Sequence, residues 1–266
     1  MPSLTLLVLI FLVALVYASV GHGGASGYLA AMSLVGGYSP AAMSAGALLL
    51  NLVVAGTACL TFWRAGHGSW SLLWPFAVSS VPAAFVGGWL PVSAQMYRGL
   101  LAVCLLAAAA RLCLPAPRTN VNPTGEHRKA RQAGLPPLRD DKRPDGPPLA
   151  VALPAGGIIG GISGIVGVGG GIFLSPLMVL LRWAEVKQVA AISAAFIVVN
   201  SLAGVAGRLI AGRLVIGLLV PLVVAAFAGG ALGSRLGADY FSGAWLRRLL
   251  AVVLLVAAGK LLMAHG

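Results

Sequence analysis

Long apolar runs follow one another along most of the chain, and polar residues are gathered in short stretches between them. A helix needs about 20 apolar residues to cross a bilayer whose hydrocarbon core is about 30 Å thick. Runs of that length therefore predict membrane helices, whereas two shorter runs that begin in glycine predict half-helices or short tilted spans. The long runs are 3–20, 41–63, 69–90, 94–114, 149–166, 189–207, 214–236 and 244–264, and the short runs are 22–36 and 168–181.

The composition agrees with this pattern. Of the 266 residues, 59% are hydrophobic and 9% are charged, whereas a soluble domain carries about 25% charged residues. The mean hydropathy is +0.96, and a surface so poor in charge would not stay in water. We therefore expect an all-α polytopic protein of the cell inner (cytoplasmic) membrane, surrounded by the lipid bilayer and crossing it many times.

Residues 115–148 differ from the rest of the chain. They are rich in proline and charge, have no apolar periodicity, and hold seven of the 18 lysines and arginines. A segment of this composition is predicted to be a solvated linker, which the positive-inside rule places in the cytoplasm. The predicted organisation is a first membrane repeat at 1–114, the basic linker at 115–148 and a second membrane repeat at 149–266.

The two membrane segments resemble each other. Arg98–Leu112 and Arg247–Leu261 are identical at ten of fifteen positions. Other matches follow in the same order, which indicates a duplication. They pair Gly21–Gly24 with Gly167–Gly170, Ser44 and Asn51 with Ser193 and Asn200, Ala65-Gly66 and Pro75 with Ala211-Gly212 and Pro221, and Phe85–Gly88 with Phe227–Gly230.

The basic residues between the apolar runs favour an inverted relation between the halves, with about five transmembrane or re-entrant segments in each. If each half crosses the membrane an odd number of times, more of these bases lie on the cytoplasmic side than in a parallel arrangement. This count treats Arg208 and Arg213 as loop residues on the outer side. The net charge of +12 is also typical of nucleic-acid binding, but these bases lie between apolar spans, so we expect no nucleic-acid partner.

The glycine-rich turns are the first candidate for a binding site. Each lies between two apolar runs, where irregular backbone is tolerated only when it is buried in protein or lines a cavity. The helix that follows such a turn offers free N–H groups and a positive dipole end to an anion. The alternative is that the glycines only allow close helix crossing. The candidate residues are Gly21, His22, Gly23, Gly24 and Ser26 in the first half, and Gly167, Gly169, Gly170 and Gly171 in the second.

Polar side chains inside the long runs are the second candidate. Asn51 and Asn200 each follow a serine, Ser44 and Ser193, by seven residues, so each pair shares a helix face. These side chains either hold helices together by hydrogen bonds or contact a substrate and brace the glycine turns. His22 either donates to an anion, carries a proton or makes a structural hydrogen bond.

Several kinds of chemistry have no support in the sequence. Only two carboxylates, Glu185 and Asp239, lie outside residues 115–148, and both fall between apolar runs. Nucleotide-binding, protease and metal-ligand motifs are missing, and the three cysteines are scattered. We therefore expect no enzyme activity, no catalytic residues, no metal and no cofactor.

The motifs Ser19-Val20-Gly21-His22-Gly23-Gly24 and Gly167–Leu177, together with the duplication, the linker and the length, resemble the TauE/SafE family of membrane permeases. The resemblance covers the chain apart from the linker. It implies export of a small sulfur-containing anion, sulfite or an organosulfonate such as sulfoacetate. The first motif has Ala25 where a third glycine would stand, so a strictly two-fold symmetric site is not expected.

The sequence thus predicts a secondary transporter for a small anionic substrate, bound between the two glycine turns by neutral donors. An anion channel and a non-transporting membrane assembly protein are the alternatives, and a homodimer is left open. Fixed positive charge is not expected at the site, because a mid-membrane arginine costs about 2.5–3.5 kcal/mol on insertion scales.

Overall fold

The computed structural model describes residues 3–19, 22–113, 147–214 and 219–239, together with Leu255 and Ala258. Within these ranges the chain forms helices joined by turns, without strands, so the all-α prediction is confirmed. The helices are α1 Leu4–Ser19, α2 Ala25–Val35, α3 Pro40–Arg64, α4 Trp70–Trp89, α5 Ala94–Cys113, α6 Leu149–Val166, α7 Gly171–Leu180, α8 Val186–Ile210 and α9 Leu219–Asp239.

The helix lengths agree with the hydrophobic runs that predicted them. Four helices in the described part, α3, α4, α6 and most of α8, are long and apolar enough to cross a membrane. The two runs that begin in glycine form the short helices α2 and α7, of 11 and 10 residues. The predicted run 244–264 lies outside the described residues apart from Leu255 and Ala258, as does the linker apart from residues 147 and 148.

Local signals set the starts of the two central helices. Ser39 accepts a hydrogen bond from the Ala42 backbone N–H, and Pro40 occupies the first helical position of α3, where its missing N–H costs nothing. Glu185 is the N-cap of α8 and forms a capping box with Gln188. Glu185 lies between two apolar runs, as expected, and it is the exposed residue that precedes the first turn of α8.

Close contact between α4 and α6 joins the two halves. Three glycines of α6, spaced by four residues, lie against backbone carbonyls of α4 that are also spaced by four, so the two helices run parallel. A Cβ on any of these glycines would lie 2.5 Å or less from a carbonyl oxygen, which only glycine avoids. The pairs are Gly156 with Phe76, Gly160 with Ser80, and Gly164 with Ala84.

The same kind of contact joins α1 and α9. Gly229 and Gly233 of α9 lie against the carbonyls of Phe11 and Leu15 in α1, and an added Cβ would lie 2.3 and 2.0 Å from the two oxygens. By the sequence repeat, α6 corresponds to α1 and α9 corresponds to α4. Each half therefore packs its fourth helix against the first helix of the other half.

At the centre of the molecule, α3 packs against α8, its counterpart in the repeat. Ser44 lies beside Arg208, and one turn further along α3 Leu48 lies beside Gly204. Residue numbers that rise on one helix and fall on the other show that α3 and α8 run antiparallel. An inverted repeat requires this of its equivalent helices, and the relation between the complete halves stays a prediction.

Candidate functional site

The second glycine turn, residues 167–170, is buried between the end of α6 and the start of α7. Gly167, Gly169 and Gly170 have φ angles of 89°, 77° and 82°. This left-handed region is unfavourable for residues with a Cβ, which explains why glycine occupies these three positions. The turn lets the chain break one helix and begin another inside the protein.

Asn51 of α3 connects this turn to the first half. Its Nδ2 donates a hydrogen bond of 3.2 Å to the Val168 carbonyl oxygen. A Cβ on Gly169 would lie 2.5 Å from Nδ2, and a Cβ on Gly23 would lie 2.5 Å from Oδ1 of the same amide. The fully buried Asn51 side chain therefore lies between the two glycine turns and braces the turn of the opposite half.

The first turn is less constrained than the second. Gly24 has a φ of 87°, Gly23 is buried, and His22 is half-buried. The His22 backbone N–H donates to the Tyr17 carbonyl near the end of α1. The predicted site residue Gly21 lies outside the described residues.

His22 belongs to a chain of hydrogen bonds that links the two halves. Its Nε2 lies 2.8 Å from Ser175 Oγ, and Ser175 Oγ lies 2.9 Å from Ser193 Oγ. Ser175 also donates to the Gly171 carbonyl oxygen, 2.7 Å away. Sequence reasoning missed Ser175, although the serine stands four residues after Gly171 and so on the same face of α7.

The second asparagine makes a different contact from the first. Asn200 Nδ2 donates to the Phe196 carbonyl oxygen, 2.9 Å away and one turn earlier in the same helix. The Oδ1 atoms of Asn51 and Asn200 and the Oγ of Ser201 are buried without a hydrogen-bond partner in the described part of the chain. Ser201, next to Asn200, is a further buried polar residue that the sequence analysis did not single out.

Ser44 leads to a correction. Its Oγ accepts a 3.2 Å hydrogen bond from Nε of Arg208, which the sequence analysis placed in an outer loop. Arg208 instead lies in the last turn of α8 and is 5% exposed, because its guanidinium reaches back along α8 into the bundle. Arg208 therefore cannot be counted as a loop charge when the orientation of the halves is judged.

The structure brings together most of the predicted site residues that it describes. Gly23, Asn51 and Gly169 meet directly, and Ser44 lies against Gly167 on one side of them. Ser193 lies on the other side, with His22. Ser26 is bonded to Tyr17, with 2.8 Å between the two oxygens, and so belongs to the contact between α1 and α2.

The start of α7 gives this arrangement its chemical character. Gly170 precedes the helix, and Gly171 is its first residue. The first N–H groups of a helix have no acceptor within the helix, and the dipole places partial positive charge there. Because Asn51 fixes the turn just before α7, the site can offer oriented donors to a small anion.

Comparisons with known proteins give the same picture. The family model described as "Sulfite exporter TauE/SafE" matches residues 6–261. A curated protein of Sinorhizobium fredii (strain NBRC 101917 / NGR234), described as "Probable membrane transporter protein y4hK", is 35% identical over 260 residues, covering 98% of each chain. No solved structure matches the chain. The broken helices, the multi-pass apolar architecture and the match over nearly the whole length together show that this chain belongs to the TauE/SafE family of membrane transporters.

Proposed function

We propose that the protein is a secondary transporter that exports a small sulfur-containing anion, either a sulfonate of the sulfoacetate type or sulfite, across the cytoplasmic membrane. The observation that carries this proposal is the match of residues 6–261 to a family described as a sulfite exporter. The relative in Sinorhizobium fredii is described only as a membrane transporter, so the substrate class and the direction belong to the proposal.

The geometry of the turns supports an anion as the substrate. In transporters with broken helices, substrate binds where the breaks of the two repeats meet. Gly23 and Gly169 meet at the Asn51 amide. The start of α7 follows directly, and its free N–H groups suit the oxygens of a sulfonate.

The asparagine amides can add donors to this site. An amide nitrogen carries two hydrogens, and the bonds to Val168 and Phe196 use one hydrogen each on Asn51 and Asn200. One N–H of each amide thus remains for an oxygen of the substrate. Neutral donors of this kind bind a dehydrated anion reversibly, as a carrier requires.

A non-transporting assembly protein is the competing function. That function predicts that the asparagines and turns are packed against neighbouring side chains, and Asn51 and Asn200 are indeed fully buried. An occluded state of a carrier buries its site in the same way, so burial does not separate the two functions. Membership of a transporter family favours the carrier.

Flux measurements on reconstituted protein test the proposal. Labelled sulfite and sulfoacetate are offered to proteoliposomes, with taurine and acetate as comparison solutes. We expect saturable uptake of a sulfur anion and counterflow, in which unlabelled substrate inside the vesicles drives entry of label. Flux that neither saturates nor shows counterflow would indicate a channel. Absence of flux with every solute, from protein that remains folded, would refute transport of this substrate class.

A further inference from the structure

Arg208 is a buried cation that the proposed site does not use. Its side chain, near the end of α8, donates three hydrogen bonds to uncharged acceptors. Nε donates to Ser44 Oγ at 3.2 Å, Nη1 donates to the Gly204 carbonyl at 3.2 Å, and Nη2 donates to the Ile165 carbonyl at 2.9 Å. A guanidinium has five N–H groups, so these bonds position it and leave two N–H groups for a further acceptor.

The acids with described side chains supply no counter-charge for Arg208. Of the six acidic residues in the sequence, only Glu185 has a described side chain. Glu185 begins α8 and Arg208 stands near its end, about 35 Å away at 1.5 Å per residue. The partial negative charge at the end of α6, where Ile165 lies, orients the guanidinium without neutralising it.

A purely structural role does not require a charge at this position. The next carbonyl at the end of α6, that of Val166, accepts a hydrogen bond of 3.4 Å from the neutral hydroxyl of Tyr97. A neutral donor is therefore sufficient to satisfy such a carbonyl. Burying a guanidinium instead of a hydroxyl carries a large desolvation cost, which an anion bound beside it would offset in part.

Arg208 also lies next to the second glycine turn. Ser44, which accepts the Nε hydrogen bond, lies against Gly167, where an added Cβ would be 2.6 Å from the Ser44 carbonyl oxygen. On α8 the spacing of Ser193, Ser201 and Arg208 places them along one face of the helix. The guanidinium thus ends a row of polar side chains that begins at the Ser175–Ser193 contact.

We propose that the Arg208 guanidinium is the positive charge that binds the transported oxyanion, acting together with the second glycine turn. This inference rests on the proposed function and adds to it the residue that selects for an anion. The planar guanidinium donates two parallel hydrogen bonds to a sulfonate, sulfite or carboxylate group. The repeat pairs Arg208 with Cys59 if counted from Asn51 and Asn200, or with Phe62 if counted from Ala65 and Ala211. Neither residue is basic, so the charge is present in one half only and we expect one anion per chain.

Binding measurements on arginine variants test this proposal. Wild-type protein, Arg208→Met, Arg208→Gln, Arg208→Lys and the control Arg64→Met are purified in a maltoside detergent, which contains no phosphate. Arg64 is a matched control because it lies in the last turn of α3 and is exposed. Titration calorimetry with sulfoacetate and with sulfite gives affinity and stoichiometry, and circular dichroism with size-exclusion elution reports folding.

We expect Arg208→Met to weaken binding about 10- to 100-fold, the range for loss of a hydrogen bond to a charged group. Arg208→Lys should weaken binding less, and Arg64→Met should bind as the wild type does, with one anion per chain. Folded Arg208→Met protein with wild-type affinity would overturn the proposal. If Arg208→Met does not fold, Arg208→Gln decides, because glutamine keeps two N–H donors and removes the charge. Wild-type affinity in folded Arg208→Gln would overturn the proposal.

The two proposals fail separately. If wild-type protein binds neither sulfur anion but binds acetate or phosphate in an Arg208-dependent way, the substrate class is wrong and the role of Arg208 stands. If wild-type protein binds a sulfur anion and Arg208→Met binds it equally well, the transporter proposal stands and the role of Arg208 is wrong.

Discussion

The α3 and α8 helices carry the same polar pattern and use it differently. Each has an asparagine seven residues after a serine. Asn51 of α3 reaches out of its own half and donates to the Val168 carbonyl in the turn of the other half. Asn200 of α8 donates to the Phe196 carbonyl of its own helix. Of the two amides that the sequence repeat pairs, Asn51 is thus the brace between the halves.

The two glycine turns also differ, in their backbone conformation and in the contacts that they make. In the second turn three of four residues, Gly167, Gly169 and Gly170, have positive φ, whereas in the described part of the first turn only Gly24 does. Val168 in the second turn corresponds to His22 in the first. The second turn is therefore fixed by backbone conformation and by Asn51, and the first turn contributes a polar side chain that bonds to Ser175.

The largest expected effect comes from adding a Cβ to the second turn. Gly169→Ala should destabilise the protein through the left-handed backbone, at about 1–2 kcal/mol, and through overpacking against Asn51 and Ile197, at about 1–3 kcal/mol. The matched control is Gly66→Ala, where φ is also positive and no atom lies within 4 Å of the added Cβ. Gly66→Ala should therefore lose only the stability that the left-handed backbone costs, about 1–2 kcal/mol.

The measurement is the thermal unfolding midpoint of each variant in detergent, followed by flux in proteoliposomes. Gly169→Ala should unfold at a clearly lower temperature than Gly66→Ala. Equal midpoints would mean that the close approach of Asn51 to the second turn does not contribute to stability.

An intermediate effect is expected from replacing the asparagines. Asn51→Leu leaves the buried Val168 carbonyl without its Asn51 hydrogen bond, at about 1–3 kcal/mol. Asn200→Leu costs less, about 0.6 kcal/mol, because the Phe196 carbonyl still accepts the helical hydrogen bond of α8. We expect Asn51→Leu to lower the unfolding midpoint, and Asn200→Leu to fold normally but lose binding of the sulfur anion.

Two outcomes would change this account of the asparagines. If Asn200→Leu binds and transports as the wild type does, the substrate lies elsewhere and Asn200 is structural. If Asn51→Leu is as stable as Asn200→Leu, the difference between the two helices has no energetic consequence.

The smallest expected effect comes from His22→Ala. The variant loses the hydrogen bond to Ser175, which lowers the stability by about 0.5–1.5 kcal/mol. Ser175 keeps its hydrogen bonds to the Gly171 carbonyl and to Ser193. Flux measured between pH 5.5 and 8 separates two roles, with His67→Ala as a control outside the site. Loss of pH dependence with binding retained indicates proton coupling, and loss of binding indicates contact with the substrate. Unchanged flux and pH dependence would assign His22 a structural role.

Sequence periodicity was sufficient to predict most of the fold. Helix bounds follow closely from apolar runs because a membrane helix satisfies its own backbone hydrogen bonds. Caps such as Ser39 and Glu185 then set the first residues of α3 and α8. The packing of each half's fourth helix against the first helix of the other half, α4 on α6 and α9 on α1, was not predicted. This packing depends on which glycine lies against which carbonyl. The spacing of glycines within one helix does not show which other helix it packs against.

The site was predicted in part, for a similar reason. Gly169 and Asn51 could be singled out because glycine repeats and mid-span amides are visible in the sequence. Arg208 was assigned to a loop because it stands near the end of an apolar run, where charges are common. Only the fold shows that its side chain turns inward to Ser44 and Ile165.

The exchanged packing of the first and fourth helices bears on how the protein is made. In α1, the carbonyls of Phe11 and Leu15 pack against Gly229 and Gly233, which leave the ribosome more than 200 residues later. The first half therefore enters the membrane with a glycine-accepting surface on α1 that stays incomplete until α9 has been synthesised. A cut within residues 115–148 would then yield two polypeptides that each lack a packing surface, so that stable protein requires both to be synthesised in the same cell.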